Sequence, residues 1–337
     1  MRILVMGGTW FLGRAVVEEA LRRGAAVTVF NRGRSGVVEG AETVRGDRTS
    51  RDDLKRLAES GPWDAVVDTS SGEFPPRDVA LAVDTLRPVA TRWVHVSTVS
   101  VYEGWPHLPL TEDSPVLVCP PDANETFGHT GPDGSPTKYG FQKAGGEAAV
   151  LRAFGEDAVL LRPGVILGPG EYVGRLPFWL SRARRGGAMI APAPAGRVIQ
   201  PVDVRDVASF ALDQAAAVSG GAFNIAHPTG MTFADFLATC LAITGGDGTP
   251  VWAAPTALSA HGVKQWTELP LWRTHAGVWS VDPSRAVAAG LQCRPLADTI
   301  ADTWAWLRAD GRPVEHPRWA EHGIGPEKEA AVLAALG

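Results

Sequence analysis

Short apolar runs alternate with amphipathic segments through the first half of the chain. RILVM, at residues 2–6, is typical of the runs, and RAVVEEALRR, at 14–23, is typical of the segments between them. Apolar runs rich in β-branched residues indicate strands buried on both faces, whereas apolar residues three and four apart indicate helices. The alternation predicts an α/β fold with a doubly wound parallel sheet, because connections of this kind are right-handed and place helices on both faces.

The predicted elements divide the chain into two parts. Up to Pro163, strands are predicted at 2–6, 26–30, 64–69, 93–98 and 157–163, and helices at 14–23, 50–59, 78–87 and 137–153. Beyond it the pattern is looser, with a strand running into a helix at 199–215, a strand at 222–227, and helices near 232–244 and 295–309. We therefore predict a dinucleotide-binding Rossmann domain over 1–165, with returning pieces near 197–227, and a smaller substrate-binding lobe over 166–196 and 228–337.

The composition narrows the class of protein. Hydrophobic residues make up 45% and charged residues 20% of the chain, and the net charge is −5. This acidic balance gives no electrostatic reason to expect nucleic acid or a membrane as partner, and no apolar run is long enough to span a bilayer. Cys119, Cys240 and Cys293 lie far apart, without metal-ligand spacing. We expect buried reduced thiols, no metal and a cytoplasmic protein that binds a small-molecule substrate; a homodimer stays open.

A glycine-rich loop follows the first predicted strand. In VMGGTWFLGR, residues 5–14, a strand leads in and a helix leads out. Gly7 suits the tight turn, Gly13 lets the helix lie close to the sheet, and the backbone N–H groups at the helix start face a pyrophosphate. We predict a nucleotide site whose phosphate contacts come from Gly7, Gly8, Thr9, Phe11 and Leu12.

Trp10 occupies the position where this motif usually has its middle glycine. A large side chain fits there only if its Cβ points away from the phosphates, or if Gly8 supplies the close backbone approach. On this condition Trp10 is part of the predicted cofactor-binding loop.

The residues after the second predicted strand favour NADP(H) over NAD(H). An NAD site usually ends this strand with Asp or Glu, which binds the ribose 2′-hydroxyl. Here Asn31 and Arg32 occupy that place, and Arg34 follows. A guanidinium binds a 2′-phosphate through two charge-assisted hydrogen bonds, whereas a carboxylate repels it. Asp47, in RGDRT, either accepts a hydrogen bond from the adenine amino group or caps its own loop.

Tyr139 and Lys143 are four residues apart and share one face of a predicted helix. A lysine ammonium beside a tyrosine favours the phenolate and lowers the pKa of the hydroxyl from its usual value of about 10. STVSVY, at 97–102, ends a predicted strand with hydroxyl groups. Ser97 or Thr98 is therefore a candidate to hydrogen-bond the substrate oxygen while Tyr139 transfers a proton.

Seven segments, in their order, resemble those of the extended short-chain dehydrogenase/reductase superfamily, in its NAD-dependent epimerase/dehydratase branch. They are VMGGTWFLGR, HVSTVSVYEG, LTEDSP, YGFQKAGGE, LRPGVILGPG, PVDVRDVA and FNIAHPTGMT. The resemblance as a whole covers most of the chain. The form GGT-x-F-x-G-R is similar to that of atypical members. The departures are Trp10 and Glu103, which lies inside the usual Val-Tyr-Gly.

The resemblance implies a role for individual residues. It implies that Tyr139 is the general acid–base, that Lys143 binds the nicotinamide ribose and tunes Tyr139, and that Thr98 orients the reacting oxygen. It also implies that Pro163 and Gly164 flank the nicotinamide.

These features predict an NADP(H)-dependent oxidoreductase of a carbonyl or secondary alcohol in a small organic substrate. One alternative is a nucleotide-sugar epimerase or dehydratase with a tightly bound cofactor. Such enzymes usually hold NAD, against which Arg32 argues, and the candidates for a nucleotide-diphosphate clamp are Arg162, Arg175 and Arg197.

A second alternative is a non-catalytic, NADP-sensing or RNA-associated atypical member. The acidic balance and the set of Thr98, Tyr139 and Lys143 weigh against it. Tyr102 and Tyr172 are the next candidates for the acid–base should Tyr139 not serve.

Two regions have a role that the pattern leaves open. The segment 103–136 is long for the family and is predicted to cover the substrate, the alternative being an inert surface insertion. Tryptophans gather in the last third, where they either pack the core of the lobe or form an aromatic wall around an apolar ligand. They are Trp252, Trp266, Trp272, Trp279, Trp304, Trp306 and Trp319.

Overall fold

The computed structural model describes residues 1–132, 134–310, 318 and 322–336. The chain divides into two compact units. The first comprises Met1–Gly164, Val204–Pro228 and Ala276–Gln292, and the second comprises Val165–Asp203, Thr229–His275 and Cys293–Gly337. Two segments group differently from the predicted boundaries, since 197–203 lies in the second unit and 276–292 in the first.

Strands and helices are numbered here in chain order. The strands are β1 (Arg2–Met6), β2 (Ala26–Asn31), β3 (Glu42–Arg45), β4 (Trp63–Asp68), β5 (Ala90–Val96), β6 (Ala158–Pro163), β7 (Ile166–Leu167), β8 (Ala188–Pro192), β9 (Val198–Ile199), β10 (Val202–Asp203), β11 (Gly221–Ile225), β12 (Met231–Thr232) and β13 (Thr249–Ala253). The helices are α1 (Phe11–Arg22), α2 (Arg51–Ala58), α3 (Pro76–Leu86), α4 (Lys138–Phe154), α5 (Arg175–Arg185), α6 (Val204–Ala216), α7 (Phe233–Thr244), α8 (Pro255–Ala260), α9 (Ser284–Ala288), α10 (Leu296–Asp310) and α11 (Pro326–Leu336).

The first unit is built on a seven-stranded sheet. Its order is β11-β6-β5-β4-β1-β2-β3, and the neighbouring strands all run parallel. The register pairs Met6 with both Phe30 and Asp68, and Asp68 with His95, so the carboxyl ends of four strands meet at one edge. The prediction of a doubly wound parallel α/β fold is confirmed, because helices cover both faces of this sheet.

The two faces of the sheet are covered by different helices. On one face α1 and α6 pack together, and on the other α2, α3 and α4 form a continuous layer. A cluster of buried apolar residues under the second layer contains two tryptophans, Trp63 and Trp93. This packing fixes α4 against the sheet and so determines where the helix presents its polar residues.

The second unit is a smaller mixed lobe. A parallel pair, β8 and β13, lies with α5, α7, α10 and α11. Trp179 of α5 is fully buried and packs edge-on against Phe233 and Phe236. Arg182 makes a buried ion pair with Glu329, which fastens α11 to α5.

Three further features concern the predicted class of protein. In the part of the chain that the structure describes, none of the helices is both long enough and apolar enough to cross a membrane. Likewise, the described residues contain no cluster of three or more His, Cys, Asp or Glu that could hold a metal ion. Cys119 and Cys240 are buried thiols, whereas Cys293 is partly exposed, so the expectation of three buried thiols is wrong at that position.

Candidate active site

The glycine loop lies where β1 ends and has the backbone that the motif requires. Gly7 and Gly8 have φ angles of 104° and 83°, a region that side chains disfavour. Gly13 packs so closely on the loop that a Cβ there would lie 2.7 Å from the backbone nitrogen of Gly8. Only glycine therefore fits at the start of α1, and this close approach leaves a cradle for a phosphate group.

The N-terminus of α1 is open to an anion. Its N-cap residue, Trp10, makes no side-chain hydrogen bond to the first turn, and that turn contains no acidic residue. The Trp10 side chain is 45% exposed, and Gly8, not Trp10, lies against the sheet at Val29. The large side chain at the middle-glycine position is thus directed outward, and the first-turn N–H groups fit a pyrophosphate.

The loop after β2 combines a structural asparagine with exposed arginines. Asn31 accepts a hydrogen bond from the backbone nitrogen of Gly33 at 2.7 Å, and its amide lies 3.4 Å from the carbonyl of Gly7. Asn31 therefore joins this loop to the glycine loop. Arg32 and Arg34 are exposed, and neither has a hydrogen-bond or ion-pair partner among the described residues.

Arg45, which the sequence analysis missed, completes this basic surface. Its side chain lies against Gly33, where a Cβ would come within 2.9 Å of Nε. Thr9 and Ser35 tie the two loops together through a 2.5 Å hydrogen bond between their hydroxyl groups. Three arginines thus surround the turn at the end of β2, a signal hidden because Arg45 is distant in sequence.

Asp47 caps its own loop. Its Oδ1 accepts hydrogen bonds from the backbone nitrogen of Thr49 at 2.9 Å and from the Thr49 hydroxyl at 2.8 Å. These bonds, more than the nearby charge of Arg32, hold the pKa of Asp47 below its usual range. The capping alternative accounts for this carboxylate, and the adenine contact stays a prediction.

Thr98 lies just beyond β5, which ends two residues earlier than predicted. It caps a short 3₁₀ turn, Val99–Val101, by accepting a hydrogen bond from the Ser100 backbone nitrogen at 3.1 Å. Ser97 is also buried, and its hydroxyl has no hydrogen-bond partner among the described residues. Both candidate hydroxyls are therefore held at the carboxyl edge of the sheet.

Tyr139 lies in the first turn of α4, beside the Thr98 turn. The hydroxyl of Thr137 caps the helix through the backbone nitrogen of Gly140 at 2.9 Å. Gly140 packs so tightly on this turn that a Cβ would lie 2.3 Å from the Ser100 carbonyl oxygen. Tyr139 is 45% exposed, so the helix presents its side chain to an incoming ligand.

Lys143, one turn further along α4, is buried. Its Nζ donates to the Ser71 hydroxyl at 2.7 Å and to the Val96 carbonyl at 2.6 Å, and lies 3.5 Å from Nε2 of His95. Burial lowers the pKa of Lys143 to about 8, and the charge of Arg48 acts in the same direction. The sequence analysis missed Ser71 and His95 because they lie far from Lys143 in sequence, in the turn after β4 and near the end of β5.

Pro163 ends β6, and Gly164 follows it at the same edge of the sheet. All six residues of β6 are buried, and the Gly164 backbone nitrogen donates to the Ile225 carbonyl at 3.1 Å. This position beyond a central strand is compatible with the predicted contact to nicotinamide, which stays a prediction.

Tyr102, a further candidate for the acid–base, and Arg162, a candidate for the diphosphate clamp, both have structural roles. Tyr102 is fully buried, and its hydroxyl donates to Oδ1 of Asn224 at 2.7 Å while accepting from Arg162 at 3.0 Å. Arg162 binds Glu147 through two hydrogen bonds of 2.9 and 2.6 Å. The structure therefore weighs against Arg162 as a candidate diphosphate clamp, because its guanidinium is already paired with Glu147, and a tyrosine hydroxyl held in this way is a poor acid–base. Tyr172, the other further candidate for the acid–base, lies in the second unit.

The other two clamp candidates lie together in the second unit with a third arginine. The guanidinium carbons of Arg175 and Arg273 lie 5.4 and 4.7 Å from the ring centroid of Trp266. Arg197 donates to the backbone carbonyl of Arg273 at 2.5 Å. Arg175 is paired with the buried carboxylate of Glu171 at 3.5 Å, whereas burial, and then the charge of Arg175, lower the pKa of Arg273.

Trp266 has a φ of 72°, which is rare for an aromatic residue, and Leu271 has one of 69°. The turn is closed by a hydrogen bond from the Trp266 nitrogen to the Trp272 carbonyl at 3.0 Å. Trp272 and Trp279 are buried, whereas Trp252 is 36% exposed. The tryptophans therefore divide between core packing and the arginine cluster; Trp319 lies outside the described residues.

The segment 103–136 is fastened to the first unit at several points. Leu110 exchanges backbone hydrogen bonds with Ser280 and Asp282 at 2.8 and 2.9 Å, and Leu117 donates to Val101 at 2.8 Å. The Gln142 amide of α4 donates to two of its carbonyls, those of Asn124 and Phe127. The covering role stays a prediction, but these anchors leave little of the segment able to move as a lid.

Two relatives resemble the chain over most of its length. A dTDP-4-dehydrorhamnose reductase from Streptomyces griseus is 28% identical over 335 residues, which cover 94% of this chain and 98% of the relative. The chloroplast stem-loop binding protein of 41 kDa b from Arabidopsis thaliana is 26% identical over 262 residues, which cover 73% of this chain and 63% of the relative.

A solved structure has the same fold. The enzyme WbmG from Bordetella bronchiseptica, in complex with NAD and UDP, matches with a TM-score of 0.68 at 21% identity, covering 92% of this chain and 96% of that one. The model of the NAD dependent epimerase/dehydratase family matches residues 3–226, which include the glycine loop, Thr98, Tyr139 and Lys143. The chain therefore belongs to the NAD dependent epimerase/dehydratase family.

Proposed function

We propose that the protein is an NADP(H)-dependent oxidoreductase that acts on a carbonyl or a secondary alcohol of a small organic substrate. The observation that carries this proposal is the pairing on α4 of an exposed Tyr139 with a Lys143 ammonium buried one turn away. A buried positive charge at this distance favours the phenolate and makes the tyrosine an acid–base near neutral pH. NADP(H), when bound, supplies or accepts the hydride.

The chain's own residues divide the remaining work. Tyr139 moves a proton to or from the reacting oxygen, and Thr98 orients that oxygen. The glycine loop and the N-terminus of α1 bind the pyrophosphate, while Lys143 binds the nicotinamide ribose. Likeness to a reductase over nearly its whole length supports this reading.

The preference for NADP(H) rests on the end of β2. Arg32 and Arg34 are exposed there and Arg45 lies against the same turn, whereas no carboxylate follows the strand. An exposed guanidinium with no internal partner is available to a 2′-phosphate. The free thiols of Cys119, Cys240 and Cys293 support a cytoplasmic location, because thiols stay reduced in that compartment.

A second candidate is an epimerase or dehydratase of a nucleotide sugar. The arginine cluster of the second unit favours a substrate with an anionic group, such as a diphosphate, because Arg175 and Arg273 flank one aromatic ring. WbmG was solved with UDP, which supports a nucleotide-diphosphate ligand. These features also fit a reductase of a nucleotide-linked sugar. They therefore support a class of substrate and do not distinguish epimerisation from reduction.

The test is to denature the purified protein, quantify the released nucleotide, and follow NADPH consumption against a panel of carbonyl compounds that includes nucleotide-linked keto sugars. We expect little retained cofactor and turnover with net oxidation of NADPH. Stoichiometric retained NAD, with isomerisation and no net oxidation, would instead identify the epimerase. Filter binding of a stem-loop RNA with and without NADPH addresses the RNA-associated alternative, and we expect no specific binding.

A further inference from the structure

Four charged or titratable side chains form a continuous buried chain behind α4. Arg48 binds Asp68 through two hydrogen bonds of 2.8 and 3.0 Å, and both side chains are at most 4% exposed. An oxygen of Asp68 lies 3.6 Å from Nδ1 of His95, which is fully buried. Nε2 of His95 lies 3.5 Å from Nζ of Lys143. Arg48 follows β3, Asp68 ends β4, His95 lies on β5 and Lys143 lies on α4.

The distances determine which nitrogen of His95 carries the proton. An ammonium has no lone pair, so Nε2 must be an acceptor where it faces Lys143. Nδ1 then carries the hydrogen; it makes no hydrogen bond among the described residues, and the carboxylate of Asp68, 3.6 Å away, attracts it electrostatically. Asp68 is itself held in place by Arg48, whose two bonds prevent the carboxylate from turning away.

We propose that the chain of Arg48, Asp68 and His95 is a positioning device for Lys143, in which His95 presents a lone pair to the ammonium and keeps it charged and aimed toward the cofactor ribose. His95 is thus a positioning residue and acts only through Lys143. The ammonium has three acceptors in this arrangement, and the contact to His95 is the longest. It is therefore the contact most readily exchanged for a ribose hydroxyl.

Charged residues from several neighbouring elements affect the protonation of Lys143 and His95. Around Lys143, Asp68 and Glu147 favour the ammonium, whereas burial and Arg48 oppose it. Around His95, burial and Lys143 favour the neutral ring, whereas Asp68 and Glu147 favour protonation. Burial is the largest effect in both cases, so the pKa of each group is lowered, and the neutral His95 that the geometry requires is maintained.

The first test is the ¹⁵N spectrum of the histidine rings in the ligand-free protein. The His95 signal is identified by its loss in His95→Gln. We expect a neutral ring with its proton on Nδ1 at neutral pH. A proton on Nε2, or protonation with a midpoint at or above about 6.5, would overturn the proposal.

The second test is the affinity for NADPH as the pH rises from about 7 to about 9.5, a range in which the 2′-phosphate stays fully ionised. In the wild type, affinity should weaken as Lys143 loses its proton. His95→Leu removes the acceptor and should move this transition down by about 0.5 to 1 pH unit. His95→Gln, whose side-chain carbonyl restores an acceptor near Nε2, should move it back toward the wild-type value.

The control is Trp93→Phe, two residues earlier on β5, where the ring packs on Phe154 of α4. This buried change should lower the melting temperature without moving the transition. An unmoved transition in His95→Leu, or an equal shift in Trp93→Phe, would contradict the proposal. The binding test rests on the proposed cofactor site, but the two fail separately, because neither the ring spectrum nor NADPH affinity requires Tyr139 to be the acid–base.

Discussion

The ammonium of Lys143 donates to the hydroxyl of Ser71 across 2.7 Å, although the two residues lie on different elements, α4 and the turn that follows β4. Both groups are buried, so this hydrogen bond is shielded from water and stabilises the charged form of the lysine. The pair joins the helix that carries the proposed acid–base to the carboxyl edge of the sheet, where the cofactor is expected.

The pH dependence of the reaction should report on this pair. Because burial lowers the pKa of Lys143 to about 8, the ammonium is present below this pH and is lost as the pH rises through it. We predict an alkaline limb of activity near pH 8. Ser71→Ala removes one acceptor from the ammonium and should move this limb down by about one pH unit.

The control is Thr85→Ala on α3. The Thr85 hydroxyl donates to the Leu81 carbonyl of its own helix at 2.7 Å, away from Lys143 and from the chain of Arg48, Asp68 and His95. The pH–rate profile of this variant should keep the wild-type limb. Equal shifts in the two variants would mean that the limb reports a general disturbance and not the lysine.

Cofactor choice should depend on the end of β2. We predict that NADPH binds at least about tenfold more tightly than NADH, or about 1.4 kcal/mol. Arg32→Ala should remove most of this difference by weakening NADPH alone, and Arg45→Gln should remove a smaller part. Titration of each variant with both nucleotides measures the effect.

Arg22→Ala is the control for this series, since Arg22 is exposed and pairs with Glu19 at the far end of α1. It should leave both affinities unchanged. Equal affinities of the wild type for NADPH and NADH would contradict the prediction and would mean that these arginines are only solvated residues of a surface turn.

Two tryptophans of the second unit should respond to truncation in opposite ways. Trp266 lies between two guanidiniums, so Trp266→Ala should raise the Michaelis constant for the substrate and leave NADPH affinity unchanged. Trp272 is 2% exposed, so Trp272→Ala should lower the stability of the fold by about 3–5 kcal/mol. Steady-state kinetics and thermal unfolding of both variants separate the two roles; a Trp266→Ala protein with normal kinetics and a low melting temperature would assign that ring to the core.

Local patterns in the sequence were enough to predict six of the seven strands of the sheet, the glycine loop and the Tyr139 helix, but not the short edge strand β3. Each of these signals lies within about ten neighbouring residues, and hydrophobic periodicity reports burial directly. For Trp10 the sequence left two conditions open, an outward side chain or a close backbone approach by Gly8, and the structure shows the side chain exposed.

Contacts between distant segments could not be predicted in this way. Ser71 and His95 meet Lys143 only because β4, β5 and α4 pack together, and a lone serine or histidine in a sequence has no partner spacing to reveal it. The same limit explains Arg162, which was a candidate clamp until the fold placed Glu147 against it. It also applies to 276–292, which the fold joins to the first unit through the backbone hydrogen bonds of Leu110 and the ion pair of Arg285 with Asp113.

The most direct measurement is the rate of hydride transfer from NADPH, in a single turnover, by Tyr139→Phe with a carbonyl substrate that the wild type reduces. The ring is kept and only the hydroxyl is removed, so NADPH binding should survive, because the proposed phosphate contacts lie on the glycine loop and Arg32. We predict that the chemical step slows by about two to four orders of magnitude, the usual contribution of a positioned acid–base. A rate within about threefold of the wild type would contradict the assignment of Tyr139 and, with it, the proposed reaction.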